Sequence, residues 1–363
     1  MEPRRVRDDA TLRDIEELVR SVGGDPLSFA GRLVTDLVQT CLKMIPDGHD
    51  TGQLKLVNSA VKEMRYAYRV FNRYAGTRKI SIFGSARTPA DHPDYRAARA
   101  FSEQMARRGW MSITGAGDGI MKAGHEGPQR DASFGLSIRL PFETTANEVI
   151  EGDPKLINFR YFFTRKLMFM SHADAIAAFP GGFGTQDEIF ESLVLVQTGK
   201  SNIVPIILLE GEGGVYWRHW HQYLLRNLLE NRWISDEDPD IYYIASSPED
   251  AARHVLGFYR VYHSSRYVGD VLVLRLARPL TADELERLND EFAILVKSGR
   301  IEQGGPLDVE TDHLALPRLT FRHTRHHFGL VRRLIDRVNG FAPGGEEGKP
   351  PDAGEPPDGR SPR

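Results

Sequence analysis

The segment that most constrains the fold is residues 174–188, which read Asp-Ala-Ile-Ala-Ala-Phe-Pro-Gly-Gly-Phe-Gly-Thr-Gln-Asp-Glu. The apolar run 175–179 is typical of a buried strand, Pro180 ends it, and a helix is predicted to begin at Thr185. Gly181, Gly182 and Gly184 form the turn between them. Such a turn presents free backbone N–H groups and the positive end of a helix dipole, so the segment predicts a binding site for a phosphate.

Thr185 and Glu188 allow a second interpretation. Their spacing is that of a capping box, in which each side chain bonds one free backbone N–H at the start of a helix. Capping explains the pair without a ligand. It does not require three glycines before the helix, so the glycines favour a ligand.

Strands and helices alternate through the middle of the chain, which predicts βαβ units and a parallel sheet with helices on both faces. Two more predicted strands end in glycine turns: 79–83 before Gly84-Ser85-Ala86, and 111–114 before residues 115–119. Because the carboxyl ends of parallel strands share one edge, all three turns are expected there. The other predicted strands are 134–140, 203–209 and 241–245. The predicted helices are 95–108, one from Ile120, 159–172, 185–199, 215–231 and 248–264, with a polar connection over 142–157.

The flanking regions differ in pattern from this middle part. Residues 1–76 show apolar residues at helical spacing and are predicted to form an N-terminal helical region. The α/β domain is placed at 77–264. Residues 265–340 predict a small α/β unit, with strands 271–276 and 318–323 and helices 281–297 and 327–338. Residues 341–363 are rich in Gly, Pro and acidic residues and are predicted to be disordered.

Two motifs give the chain a specific resemblance. Pro180-Gly181-Gly182-Phe183-Gly184-Thr185-x-x-Glu188 is similar to the Pro-Gly-Gly-x-Gly-Thr-x-x-Glu signature of the LOG ("Lonely guy") phosphoribohydrolases, often mislabelled lysine decarboxylases. Arg165-Lys166 resembles the family's upstream Arg-Lys pair. The resemblance covers about residues 79–256. It implies a Rossmann-like α/β fold.

The resemblance also implies roles for individual residues. Glu188 and Arg165 are the expected catalytic residues, with Arg165 in a buried helix, where it would keep Glu188 ionised by lowering its pKa. From the residues alone, Arg165 also fits a structural ion pair, and Lys166 would face a different surface or solvent. Ala116 and Asp118 interrupt the glycine run that relatives show at the second turn. The expected substrate- and phosphate-binding residues are Gly84, Ser85, Gly115, Gly117, Gly181, Gly182, Gly184, Thr185 and Lys166.

The implied activity is hydrolysis of the N-glycosidic bond of a nucleoside 5′-monophosphate, AMP-like or a cytokinin ribotide, to free base and ribose 5-phosphate. No cofactor and no metal are expected, and a homodimer or larger homo-oligomer is implied. Amino-acid decarboxylation needs pyridoxal phosphate on a lysine, and no lysine lies in a suitable turn. The alternative is a non-catalytic nucleotide- or cofactor-binding sensor or carrier of Rossmann type.

Net charge, cysteine count and the length of apolar runs argue against several classes of protein. The net charge of −3 over 363 residues argues against a nucleic-acid partner. The single cysteine, Cys41, fits a reducing compartment. Apolar runs are too short to span a membrane and no signal peptide is recognisable, so a cytoplasmic protein is expected.

A basic cluster lies near the C-terminal end, between Arg318 and Arg337. It contains six arginines and three histidines, with Asp336 as its one acidic residue. Arginine forks suit phosphate, so the cluster predicts a site for a regulatory anion. A solvated helix face is the alternative. A metal site is not expected, because no cysteines or carboxylates are spaced with the histidines.

Overall fold

The computed structural model describes residues 9–139 and 146–342. Residues 343–363, which make up nearly all of the predicted disordered tail, lie outside the described residues, as do residues 140–145 around the start of the predicted polar connection. Contacts divide the chain into two compact units, Met1–Arg65 and Tyr66–Arg363.

The first unit is helical, as predicted. It contains α1 (Asp9–Ser21), α2 (Phe29–Lys43) and most of α3 (Thr51–Phe71), which continues across the unit boundary. Ser28 caps α2, since its hydroxyl accepts a hydrogen bond of 3.0 Å from the Gly31 N–H. Ile15 and Val19, four residues apart on α1, are buried. Apolar residues at helical spacing therefore form helices here.

The second unit is built on a seven-stranded parallel sheet, which confirms the predicted α/β fold. The strand order is β4-β3-β2-β1-β5-β6-β7, so the direction of winding reverses between β1 and β5. In such sheets, ligands bind in the crevice at the carboxyl ends of the strands where the order reverses. The strands are β1 (Lys79–Phe83), β2 (Met111–Thr114), β3 (Ser133–Ile138), β4 (Leu156–Phe159), β5 (Ala175–Ala178), β6 (Ile206–Leu208) and β7 (Tyr242–Ile244).

Helices cover both faces of this sheet. Ile80 and Ile82 of β1 lie in one hydrophobic core with Phe101 of α4 and Val255 of α9. Ser81 lies between them and points to the other face, where its hydroxyl donates a 2.9 Å hydrogen bond to the Phe169 carbonyl of α6. The helices are α4 (Pro93–Ala106), α5 (Ile120–Glu126), α6 (Phe162–Ser171), α7 (Phe183–Gln197), α8 (Tyr216–Leu224) and α9 (Pro248–Phe258).

The C-terminal part of the second unit forms a separate four-stranded antiparallel sheet. Its order is β10-β11-β9-β8. Thr281 and Glu284 form a capping box at the start of α10. The elements are β8 (Tyr262–Val268), β9 (Val271–Leu276), α10 (Ala282–Glu291), β10 (Val296–Gly304), β11 (Arg318–His323) and α11 (Phe328–Gly340).

Three of the predicted helices are longer than the helices in the structure. Each includes residues that belong to a strand instead. The helix predicted over 248–264 ends at Phe258, because Tyr262 begins β8, which pairs with β9 through a two-residue turn at Gly269-Asp270. The helix predicted over 281–297 ends at Glu291, before β10. The helix predicted over 159–172 begins at Phe162, since Leu156–Phe159 pairs with β3 as the edge strand β4.

Over residues 9–139 and 146–342, the structure contains no helix with the length and apolar character needed to cross a membrane.

Candidate active site

The three glycine turns meet at the edge of the sheet where the strand order reverses. The Ser85 N–H, after β1, donates a 3.1 Å hydrogen bond to the Pro180 carbonyl, after β5. The Ile120 N–H, at the end of the turn that follows β2, donates a 3.0 Å hydrogen bond to the Ser85 carbonyl. The turn at Ser85 therefore links the other two, and all three lie at the crevice where this fold class binds ligands.

Two of the expected glycines are needed for protein packing. A Cβ at Gly84 would lie 2.6 Å from Cγ2 of Ile120, and one at Gly181 would lie 2.2 Å from the Thr185 hydroxyl and 3.0 Å from the Ser85 nitrogen. The distances of 2.6 and 2.2 Å are shorter than the contacts that Cβ atoms make in proteins. These glycines let the turns approach each other.

Gly182 and Gly184 are different. Neither has a positive φ, and a Cβ at either position would meet no atom of the described part of the chain within 4 Å. Both residues are exposed, and the ring of Phe183 between them is 96% exposed. Neither backbone conformation nor packing within the described residues requires glycine here.

Helix α7 begins at Phe183, two residues earlier than predicted. Gly182 occupies the N-cap position and no side chain caps the helix, so the capping-box interpretation of Thr185 and Glu188 is wrong. Thr185 lies buried within the first turn, and Glu188 lies in the second. The first backbone N–H groups of α7 have no partner inside the helix, because an α-helix always leaves its first donors free.

Glu188 is buried, with 6% of its surface exposed. Its Oε2 atom is buried and has no hydrogen-bond partner among the described residues. Burial raises the pKa of Glu188 to about 7, although the charges of Lys166 and Arg165 act to lower it. The expectation that Arg165 keeps this carboxylate ionised is therefore wrong in its net result: burial outweighs both cations.

Arg165 and Lys166 come from α6, which packs beside α7. The guanidinium of Arg165 lies over the rings of Phe162 and Phe169, at 5.1 and 5.7 Å from their centroids. Its Nη1 is 3.8 Å from the position that a Cβ on Gly115 would occupy, so it reaches the second glycine turn. The helix is not buried on every side as expected, since Phe162 and Phe163 are each about half exposed.

Lys166 bonds carboxylates of α7 instead of facing solvent. Its Nζ lies 2.8 Å from Asp187 Oδ2 and 2.6 Å from Glu191 Oε2. Burial lowers the pKa of Lys166, but these two hydrogen bonds outweigh it and raise the pKa above its usual value. Asp187 and Glu191 flank Glu188 in the sequence, so Lys166 ties α6 to the segment of α7 that carries Glu188.

The second glycine turn is held by residues that no sequence motif indicated. Gly115 and Gly117 pack against Met121, and Ala116 between them has a φ of +64°. Buried Asn147 fixes this turn: its Nδ2 donates to the Gly117 carbonyl at 2.9 Å and its backbone N–H donates to the Ala116 carbonyl at 2.8 Å. The ring of buried His125 contacts the Asn147 side chain.

A chain of hydrogen bonds from α7 and α8 also holds the glycine turn at Gly181 in place. The Tyr216 hydroxyl donates to the Gly181 carbonyl at 2.6 Å, and Gln186 Nε2 donates to that hydroxyl at 2.6 Å. Trp220 Nε1 donates to Gln186 Oε1 at 2.8 Å. Tyr216 is 35 residues from Gly181 in the sequence. No local pattern could have connected the two.

The basic cluster between Arg318 and Arg337 is not one surface. The expectation that Asp336 is its only acidic neighbour is wrong, because folding brings carboxylates from distant segments. Arg322, Arg325 and His326 remain exposed, so a regulatory anion stays a prediction for those three residues. The ion pairs are Arg318–Glu310, Arg332–Asp336, Arg333–Asp240, Arg337–Glu291 and, if the histidine is protonated, His327–Glu237. Within the described ranges, no group of three or more His, Cys, Asp or Glu side chains could hold a metal ion.

Comparisons with known proteins match the segment that carries most of this site. The family model described as "Possible lysine decarboxylase" matches residues 114–255. A curated relative, the probable cytokinin riboside 5′-monophosphate phosphoribohydrolase LOG4 of Oryza sativa subsp. japonica, is 30% identical over 142 residues. That stretch covers 38% of this chain and 59% of the relative. The chain thus matches less than two thirds of the relative's length.

Solved structures with similar folds come from several functional groups. The molybdenum cofactor binding protein of Rippkaea orientalis is 21% identical, with a TM-score of 0.35 and coverage of 50% of this chain and 96% of that one. The molybdenum cofactor carrier protein of Chlamydomonas reinhardtii is 18% identical, with a TM-score of 0.36 and the same coverages. DNA processing protein A of Helicobacter pylori is 14% identical, with a TM-score of 0.35 and coverages of 51% and 83%.

The family match spans β2 to α9 and includes Arg165, Glu188 and two of the three glycine turns. Over residues 114–255, the chain is therefore similar to this family and to the LOG4 relative.

Proposed function

We propose that the protein hydrolyses the N-glycosidic bond of a nucleoside 5′-monophosphate, an AMP-like nucleotide or a cytokinin ribotide, to give free base and ribose 5-phosphate. The observation that carries the proposal is a buried carboxylate, Glu188, placed one helical turn behind an open glycine turn. The glycine turn accounts for binding of a phosphate. The carboxylate accounts for chemistry at the sugar that the phosphate carries.

The phosphate would lie at the N-terminus of α7. The backbone N–H groups of Phe183, Gly184 and Thr185 are its donors, and the helix dipole favours its negative charge. Gly182 and Gly184 leave the approach open, because a Cβ at either position would project into space that no atom of residues 9–139 or 146–342 occupies within 4 Å. Arg165, which reaches the neighbouring turn at Gly115, adds a cation on the other side of the crevice.

The reaction consumes one water and transfers its hydroxyl to C1′ of the ribose, while the base leaves with the glycosidic electron pair and receives a proton. Positive charge builds on the ribose as the bond breaks, as in glycoside hydrolysis. The ionised form of Glu188 stabilises that charge or removes a proton from the attacking water. With a pKa of about 7, Glu188 changes protonation state in the range where a general base works best.

The glycines provide a direct test. Gly184→Ala adds one methyl group in a helical position with no protein contact within 4 Å, so the fold should be unchanged or slightly more stable. If a phosphate binds there, the same methyl group should raise KM for AMP by about tenfold or more, because charge-assisted hydrogen bonds are lost. Base release is measured with AMP, GMP, CMP, UMP and a cytokinin ribotide in the presence of EDTA.

Gly304→Ala is the matched control, since Gly304 is also exposed, lacks a positive φ and has open space around its Cα. Its KM for AMP should equal that of the wild type. Cleavage of adenosine as efficient as that of AMP would contradict the phosphate anchor. Tight nucleotide binding without any base release would favour the carrier or sensor alternative.

We also propose that the protein forms a homo-oligomer through α6 and α7. Phe162 and Phe163 of α6 and Val194 of α7 are each about half exposed, which is unusual for large apolar side chains on neighbouring helices. Burying them against a second copy would stabilise the assembly. Light scattering at micromolar concentration should give a dimer or larger, and a fully active monomer would contradict this assignment.

A further inference from the structure

A cavity of about 440 Å³ lies in the second unit, between the parallel sheet and the C-terminal antiparallel sheet. Its wall includes Ala173 and Ile203, which precede β5 and β6, so it lies at the amino ends of the parallel strands. The glycine turns lie at the carboxyl ends of the same sheet. None of the candidate site residues lines this cavity.

The cavity is lined by residues of α6, by the end of α7 and the connection that follows it, and by the C-terminal part of the second unit. Residues 199–204, after α7, form one side, and β8, β9 and α11 form the other. Phe328 of α11 lies directly on Gly199, where a Cβ would come 2.1 Å from the ring. Gly199 has a φ of +65°, so both its conformation and this contact require glycine. Helix α11 thereby packs closely against the residues that follow α7 and completes the cavity wall.

The lining combines an apolar surface with positive charge. Leu195, Val204, Leu272 and Val331 are among its aliphatic residues, and Tyr267 and Phe328 present aromatic rings. Lys200 and Arg266 are its charged residues, and no carboxylate belongs to the lining. The nearest acidic partner of Arg266 is Asp312 at 3.5 Å, and that carboxylate is shared with Arg275 at 2.9 Å. The lining of the cavity therefore carries net positive charge.

The ring of Tyr267 in the cavity wall is fixed by contacts within the protein. The Tyr267 hydroxyl and His323 Nδ1 lie 2.6 Å apart, and the guanidinium of Arg325 lies 3.6 Å from the centroid of the Tyr267 ring. A side chain fixed at both its polar end and its ring face loses little freedom when a ligand stacks on it, which favours binding. The volume also falls within the range of ordinary small-molecule sites.

We propose that this cavity is a second ligand site, separate from the nucleotide crevice, for an amphipathic organic anion with an aromatic body. The ring system lies against Tyr267, Phe328 and the aliphatic wall, and the anionic group lies near Lys200 and Arg266. The crevice and the cavity are separated by about 10 Å along α7, from Glu188 to Leu195, at 1.5 Å per residue. The proposal does not depend on the protein being a hydrolase.

The test uses the dye 8-anilinonaphthalene-1-sulfonate and its uncharged analogue N-phenyl-1-naphthylamine. Fluorescence titration of the full chain should show saturable binding of the sulfonate at one site. The double variant Lys200→Met/Arg266→Met should weaken sulfonate binding by about tenfold, the size expected for loss of charge-assisted contacts. The uncharged dye should bind the double variant as well as it binds the wild type, which also shows that the cavity is intact.

Two further variants test whether the dye binds in this cavity. Lys297→Met, which removes an exposed lysine on β10 away from the cavity, should leave sulfonate binding unchanged. Ser265→Trp, which fills the cavity from β8, should abolish binding of both dyes, and thermal unfolding checks its fold. Equal sulfonate affinity in the double variant and the wild type, displacement of the dye by AMP, or no saturable binding of either dye would overturn the proposal.

Discussion

Two buried glutamates in the second unit show how the same side chain serves different purposes. Glu188 in the parallel-sheet domain and Glu310 in the C-terminal part are 6% and 5% exposed. Both have two cations nearby. Yet Glu188 has a pKa raised to about 7, whereas the pKa of Glu310 is lowered to about 2.

The difference lies in hydrogen bonds, not in charge count. Burial would raise the pKa of Glu310, but hydrogen bonds from Arg275 and Arg318 outweigh it. Arg275 Nη2 donates to Oε1 at 2.7 Å, Arg318 Nε donates to Oε2 at 3.2 Å, and the Leu307 N–H donates to Oε2 at 3.1 Å. Every oxygen of Glu310 is therefore bonded.

At Glu188 the nearby cations contribute charge only. Lys166 bonds Asp187 and Glu191, and Arg165 extends toward Gly115, so Oε2 of Glu188 keeps no hydrogen-bond partner among the described residues. A buried carboxylate bonded on all sides stabilises a fold. One left unbonded beside a crevice destabilises it and suits a functional role.

The largest expected difference between replacing Glu188 and replacing Glu310 is in the rate of turnover. Glu188→Gln should reduce base release from AMP by about 10³- to 10⁴-fold, as for loss of a central catalytic group. Glu310→Gln should leave turnover per folded molecule unchanged, because Glu310 lies in the connection between β10 and β11, outside the candidate site. Single-turnover base release on both variants measures this, and near-normal turnover by Glu188→Gln would remove Glu188 from the mechanism.

The next contrast is in stability at neutral pH. Glu310→Gln should lower the free energy of unfolding by about 3–5 kcal/mol, because it leaves Arg318 buried without a counter-charge and leaves Arg275 with Asp312 as its one acidic partner among the described residues. Urea unfolding at pH 7 tests this, with Glu286→Gln as the control, since Glu286 forms an exposed ion pair with Arg300. A loss of stability no larger than that of the control would show that the buried network is not structural.

The smallest contrast concerns pH. The folded-state pKa of Glu188 is raised above its unfolded value, so its contribution to stability is complete below about pH 4.5 and is lost as the pH rises through about 7. Glu188→Gln should remove this loss and stabilise the protein at pH 8 by about 2–3 kcal/mol. Unfolding curves at pH 5 and pH 8 measure the difference.

The contribution of Glu310 to stability should depend on pH in the opposite direction. Its lowered pKa gives stability that is present above its unfolded pKa and is lost as the pH falls toward about 2. If Glu188→Gln were destabilising at pH 8, Glu188 would have to be ionised and bonded in the folded protein, and the contrast with Glu310 would fail.

The parallel core was predictable because its signals are local. Strands buried on both faces are continuous apolar runs, and each of the three crevice turns follows such a run with glycine or proline. The predicted bounds of 79–83 and 111–114 agree with β1 and β2. The strands β4, β8 and β10 were missed because edge strands and hairpins are half exposed and lack a continuous apolar run.

The candidate site was predictable only in part. The motif picked out Arg165 and Glu188, but nothing in it indicates that Lys166 bonds to Asp187 and Glu191, or that Tyr216 and Asn147 hold the turns. These contacts join residues from different elements. Their spacing in the sequence carries no periodic signal.

The sequence by itself determined which residues could meet at the crevice, because strand–turn–helix patterns fix the edge of the sheet on which each turn lies. It also determined that the glycine turn leads from a strand into a helix, although the structure places Gly184 inside that helix. Only the tertiary structure decided which of those glycines pack against protein and which leave open space. It also decided the protonation of Glu188, since burial and hydrogen bonding of a carboxylate depend on the partners that distant segments bring to it.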